Sequence, residues 1–211
     1  MGTQSVADSY NAWSASYDND RNATRDMEAR ALREMLAGVK FARALEAGCG
    51  TGKNTVWLAE QSDVLVCMDI SGGMLARARE KVSRAGVSFI ETDLEKTWPV
   101  DSASYDVVVF SLVLEHIREF KHVFAEAFRC LKPGGVMYAG ELHPYRQYQG
   151  GKARFETDSG VHEVTCFAHH VSQYLEAAAA QGFQMDNLRE FFDEGGTTPR
   201  VLAVTFTKAV N

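Results

Sequence analysis

What the sequence has little of narrows its function first. Its four cysteines, Cys49, Cys67, Cys130 and Cys166, form neither a CxxC pair nor a His/Cys metal spacing. Reduced thiols in a cytoplasmic protein are therefore expected, with no metal required. Basic residues do not dominate: 22 Lys and Arg stand against 28 Asp and Glu, a net charge of −6. This argues against a sequence-independent nucleic-acid binder, which needs a basic face for phosphates. The longest apolar run, Val107 to Leu114 broken by Ser111, is too short to cross a bilayer. No apolar leader segment is expected, and Val6 stands where the myristoylation pattern wants Ser or Thr. No repeat or linker interrupts the 211 residues, which suit one domain with a substantial core. A small molecule is the expected partner, and the chain is expected to be a monomer or homodimer.

The stretch that is present and informative is Leu45-Glu46-Ala47-Gly48-Cys49-Gly50-Thr51-Gly52. Arg43 to Ala47 reads as a short buried strand, the glycines allow a sharp turn, and Val56, Trp57 and Leu58 open a helical pattern. Strand, glycine turn and helix together make a small-ligand site. The helix N-terminus offers unpaired N–H groups, and glycines let a ligand lie against the main chain. A P-loop is a poor match, because Ala47 replaces its first Gly and Asn54 its hydroxyl residue. The dinucleotide fingerprint fits Gly48 and Gly50 but meets Lys53 at its third glycine. Glu46-x-Gly48-x-Gly50-x-Gly52 resembles motif I of the class I S-adenosylmethionine (SAM) dependent methyltransferases, and the chain as a whole resembles their UbiE-like, small-molecule branch.

The pattern downstream repeats strand and helix. Strands are expected at Val64 to Met68, Val87 to Ile90, Tyr105 to Phe110 and Val136 to Leu142, and helices at Met74 to Val82 and Phe120 to Leu131. Tyr105 to Phe110 is nearly all apolar, as a central parallel strand buried on both faces should be. Lys132-Pro133-Gly134-Gly135 reads as a turn before the fifth strand. Val171 to Gln181 is expected to be a helix stopped by Gly182, followed by strands at Phe183 to Phe192 and Val201 to Lys208. Such alternation predicts an α/β, doubly wound, Rossmann-like sheet with ligands outside the strand C-termini. The resemblance, covering about residues 40 to 208, implies seven strands in the order 3-2-1-4-5-7-6, the last antiparallel, with helices on both faces.

Two stretches flank this pattern. Near the N-terminus, Tyr10, Trp13 and Tyr17 share a helical face before Asp18-Asn19-Asp20, and Thr24 to Leu36 carries an apolar helical stripe. Residues 1–38 are expected to form a helical lid, or a docking helix that fills a groove. Residues 144–168 lose periodicity, with Gly150, Gly151, a turn at Thr157-Asp158-Ser159-Gly160 and the aromatics Tyr145, Tyr148, Phe155 and Phe167. A substrate cover or small hairpin is expected there.

The resemblance implies a cofactor set. Asp69, closing the second strand, would accept from both ribose hydroxyls of SAM, although an Asp after a strand also suits a helix cap. Asp93 and Leu94 would serve the adenine, an Asx turn being the alternative for Asp93. Gly48, Cys49, Gly50, Thr51, Ile70, Met74 and Ser111 complete the set, with Asn54 toward the SAM carboxylate. On the acceptor side, His143 and Glu115 are expected to handle the proton while Tyr17 closes over the cofactor; His116, His169 and His170 are further candidates. The expected activity is methyl transfer to an O, N or C atom of a small, indole- or phenol-like metabolite, as in secondary-metabolite tailoring. A nicotinamide-dependent oxidoreductase and a non-catalytic SAM-binding protein remain the alternatives. Arg146, Lys152 and Arg154 either meet an anionic substrate or line a solvated hairpin.

Overall fold

The computed structural model describes residues 5–19, 21–157 and 160–210. Asp20, Asp158, Ser159 and the side chains of Phe155 and Thr157, all named above, lie outside the described residues. Five parallel strands, β1 (Arg43–Ala47), β2 (Val64–Asp69), β3 (Val87–Glu91), β4 (Tyr105–Ser111) and β5 (Leu131–Leu142), follow the glycine-turn logic of the sequence. A hairpin of β6 (Arg154–Thr157) and β7 (Gly160–Glu163) stands apart, and β8 (Phe183–Phe192) and β9 (Pro199–Lys208) complete the main sheet. Its order is β3-β2-β1-β4-β5-β9-β8, with β9 antiparallel to both neighbours. Counting the main-sheet strands alone, this is the expected 3-2-1-4-5-7-6.

Along β4 the side chains alternate between two cores. Val108 and Phe110 join the layer with α5 (Phe120–Cys130) and α7 (Val171–Gln181), whereas Val107 and Val109 face the layer with α2 (Ala23–Met35) and α3 (Thr55–Gln61). Both sets are fully buried, which explains why the strand is apolar at consecutive positions. Gly182, in the left-handed region at φ 93°, ends α7 and directs the chain into β8.

Departures from the expected elements have local causes. Helix α4 (Gly72–Lys81) begins before Met74 because Ser71 caps it, its hydroxyl accepting from the Met74 N–H at 3.1 Å. β5 begins at Leu131, and Lys132–Gly135 forms an irregularity inside it: Tyr105 pairs with Leu131 and Val107 already with Val136. The segment after β5 holds a short helix, α6 (Pro144–Tyr148), with His143 as its N-cap and Pro144 at its first position. Helix α1 (Val6–Trp13) ends before Tyr17, yet the Trp13 and Tyr17 rings meet at 4.7 Å.

Candidate active site

A cleft opens at the C-terminal ends of β1, β2 and β4. Its floor is the glycine turn. Gly48 adopts φ 82°, and a Cβ there would run into Val113. Gly50, at φ 54°, has open space where a Cβ would point, so a ligand can lie on its backbone. Asp69 reaches under this turn: Oδ2 accepts from the Gly50 N–H at 2.8 Å and Oδ1 from the Ser71 N–H at 2.9 Å. Ser71, not Asp69, is the helix cap, and each Asp69 oxygen keeps lone pairs for a ligand. Burial raises its carboxyl above the ordinary range, against the pull of those N–H groups.

The cleft is lined by Gly48, Cys49, Gly50, Thr51, Asn54 and Asp69, and by Ile70, Asp93, Leu94 and Ser111. Met74 does not join them; it is buried against Trp13 and Val164, which makes it part of the seat for α1. At Asp93 the turn reading is met at the edge of the cleft. Its carboxylate accepts from the Glu95 N–H at 2.9 Å, forming an Asx turn, while the residue lines the cleft.

Sequence reasoning missed Glu28. Buried on α2, it accepts from Asn54 Nδ2 at 2.8 Å and from the Tyr138 hydroxyl at 3.0 Å. Its signal was an acid within the apolar stripe, three and four residues before Ala31 and Leu32. Asn54 also donates to Ser111 Oγ at 2.9 Å, and its own Oδ1 is buried without a partner. Deeper, Glu46 accepts from the Thr55 hydroxyl at 2.5 Å, and burial pushes its carboxyl up to about 8. Glu141 accepts from the Val113 and Leu114 N–H groups at 3.0 and 2.8 Å, holding the loop after β4, where Leu112 is in the left-handed region at φ 53°.

The N-terminal segment packs over this cleft. Asn11 Oδ1 accepts from the Ser71 hydroxyl at 2.7 Å and the Gly73 N–H at 3.0 Å. Asp18 accepts from the Thr51 hydroxyl at 2.8 Å and pairs with Lys81 at 2.6 Å. Tyr10 and Tyr17 line the cleft and also a second one beside it. The second cleft is walled by Tyr10, Trp13 and Tyr17, with Arg25, Lys152 and Arg154 as cations and Glu115 as its acid. The Arg25 guanidinium lies 4.2 Å from the Tyr17 ring centre.

The proton-handling candidates fall in different places. Glu115 is buried at the second cleft, its carboxyl raised by burial, with Gln147 Nε2 donating to it at 3.4 Å. His143 lines neither cleft. Its Nδ1 accepts from the Tyr145 N–H at 3.1 Å, and Nε2 contacts Glu190 on β8 at 2.9 Å. Burial lowers its pKa despite Glu190. The structure thus does not bring His143 to Glu115, because the N-cap of α6 turns the ring toward the sheet. His169 packs on Phe120, ring centres 4.2 Å apart, and His170 contacts the Tyr148 hydroxyl at 2.7 Å. His116 does reach the first cleft, where Nε2 meets the Tyr10 hydroxyl at 2.7 Å. Arg146 is drawn away to Asp193 at 3.1 Å.

Residues 45–139 match the family model described as a methyltransferase domain. The biotin biosynthesis bifunctional protein BioHC of Cellvibrio japonicus is 32% identical over 83% of this chain and 34% of its own length. A malonyl-[acyl-carrier protein] O-methyltransferase of Enterobacter lignolyticus is 31% identical over 64% of this chain and 52% of its own. The chain carries a methyltransferase domain over residues 45–139 and is similar to the class I SAM-dependent methyltransferases. It spans about half or less of the length of these two relatives. The N-methyltransferase NodS of Bradyrhizobium japonicum, solved with S-adenosyl-L-homocysteine, shares the fold at TM-score 0.75 and 17% identity, covering 97% of this chain and 99% of that one.

SAM is the cofactor of such a methyltransferase, and the cleft fits it. The open backbone at Gly50, the Asp69 carboxylate and the unpartnered Asn54 Oδ1 provide acceptors and space for a polar nucleoside carrying an amino acid. Among the described residues no helix is long and apolar enough to cross a membrane.

Proposed function

We propose that this protein methylates a small, partly aromatic metabolite that bears an acidic group. The observation that carries the reading is the second cleft, which shares Tyr10, Tyr17, Arg25 and Leu112 with the cofactor cleft and sets aromatic rings and cations around one volume. Rings offer a flat apolar surface, and Arg25 and Arg154, beside a Lys152 that is itself paired with Glu163 at 2.8 Å, favour negative charge.

Asp69 holds the ribose in this reading, Asp93 and Leu94 the adenine, and the Gly48–Thr51 turn with Asn54 and Ser111 the amino-acid end. Bound SAM supplies a methyl carbon already activated by its sulfonium. The chain's own residues align the acceptor and exclude water. Residues 1–38 act as the lid through Tyr17 and the Asp18 latch, and residues 144–168 as the substrate cover. Glu115 orients the acceptor from the second cleft. His143 supports the cover by capping α6.

Incubation with methyl-labelled SAM and a metabolite extract split into anionic, neutral and cationic fractions tests the substrate class. Label is expected in an anionic aromatic product. Label recovered only in cationic or aliphatic products contradicts it.

A further inference from the structure

Tyr10 and His116, 106 positions apart in sequence, meet where the two clefts join. His116 Nδ1 lies 2.7 Å from the Thr165 carbonyl oxygen, which can only accept, so in the neutral ring Nδ1 carries the proton. Nε2 is then an acceptor, and the Tyr10 hydroxyl donates to it at 2.7 Å. The phenol oxygen keeps its lone pairs, and Tyr10 lines both clefts. Glu115 lies 3.8 Å from the same Nε2.

We infer that Tyr10 and His116 form a proton relay for an acceptor atom that carries a proton, a phenolic or alcoholic O–H, rather than for a carboxylate, which needs no base. The inference rests on the methyltransferase reading and narrows its acceptor. The acceptor oxygen's lone pair forms the O–CH3 bond while the methyl–sulfur bond breaks and leaves its electron pair on sulfur. The acceptor's proton passes to Tyr10 Oη as the Tyr10 proton moves to His116 Nε2, and the imidazolium later releases it to water. Burial pushes the Tyr10 phenol well above its ordinary value, so Tyr10 relays a proton without resting as a phenolate. Tyr10 sits on α1, so docking of that helix completes the relay.

The test uses 4-hydroxyphenylacetate, which offers a phenol and a carboxylate in one molecule. Wild type should form the methyl ether. Tyr10→Phe, which keeps the ring packed beside Trp13, should lower turnover about 10²- to 10⁴-fold with S-adenosylhomocysteine affinity within about two-fold. His116→Ala should lose a similar factor, and the double variant little more than either, as for groups acting as a unit. A methyl ester product, or full turnover in Tyr10→Phe, overturns the relay. Nitrogen-15 NMR of the His116 ring decides independently of turnover: Nδ1–H with a bare Nε2 supports the relay, and Nε2–H in the neutral ring overturns it. If the protein methylates neither group but shows the bare Nε2, the substrate reading has failed and the relay has not.

Discussion

At the scale of single residues, the acids around the cleft are held against their solvation preference. Burial raises Glu28, Asp69 and Glu115, pushes Glu46 to about 8 and Glu141 well up. Several buried carboxyls so close together suit a ligand with a cationic centre, which would favour their charged forms. The pH dependence follows in sign. Glu46 titrates near its ordinary 4.5 when unfolded and near 8 when folded, so between these values the native state binds more protons. Its contribution is present below the unfolded value and is lost as pH rises through about 8, with a slope of up to about 1.4 kcal/mol per pH unit. Thermal unfolding from pH 5 to 8 should therefore show Tm falling in wild type and falling less in Glu46→Gln. Parallel profiles would show that Glu46 is ionised in the native protein.

Among the elements, the local ones were legible in the sequence and the long-range ones were not. Apolar runs at Val64 and Tyr105 and the glycine turn at Gly48 carry their structure within a few residues, so β1, β2 and β4 followed from spacing, whereas most of the residues lining the first cleft were named through the family resemblance. Helix α6 was missed because five residues span little more than one turn, too short for a period to register. His143 follows the fifth strand as expected, but the direction of its ring depends on a cap to Tyr145 and a contact to Glu190 that no pattern encodes. Tyr10 and His116 were each noticed, and their meeting depends on how α1 docks. The Asp18 latch is the element-scale feature most open to test. Burial opposes its charge, but the hydrogen bonds from Lys81 and Thr51 outweigh this and hold its carboxyl below the ordinary value. The latch is therefore present above the usual carboxylate range and is lost only as pH falls through the depressed value. The Lys81 pair is largely exposed, worth about 0.5–1 kcal/mol and weakened by salt. Asp18→Ala should raise limited proteolysis between α1 and α2 about two- to five-fold at neutral pH, the factor expected of that energy when cleavage tracks opening. An unchanged cleavage rate would mean that other contacts hold the segment down.

For the whole molecule, the sheet order decides where chemistry can occur. β1 lies between β2 and β4, so Gly48–Gly50, Asp69 and Ser111 emerge at one edge although they are dispersed in sequence. The N-terminal segment and the hairpin of β6 and β7 flank the adjoining second cleft. Cofactor binding is the claim on which all else depends, and calorimetry with S-adenosylhomocysteine tests it most directly. Wild type should bind, and Asp69→Ala, which leaves two ribose hydroxyls without a charged acceptor, should bind about 10- to 100-fold more weakly, or about 1.5–3 kcal/mol. NADH should not bind. Absent S-adenosylhomocysteine binding by the folded wild type, or equal affinity in a folded Asp69→Ala protein, would contradict the account.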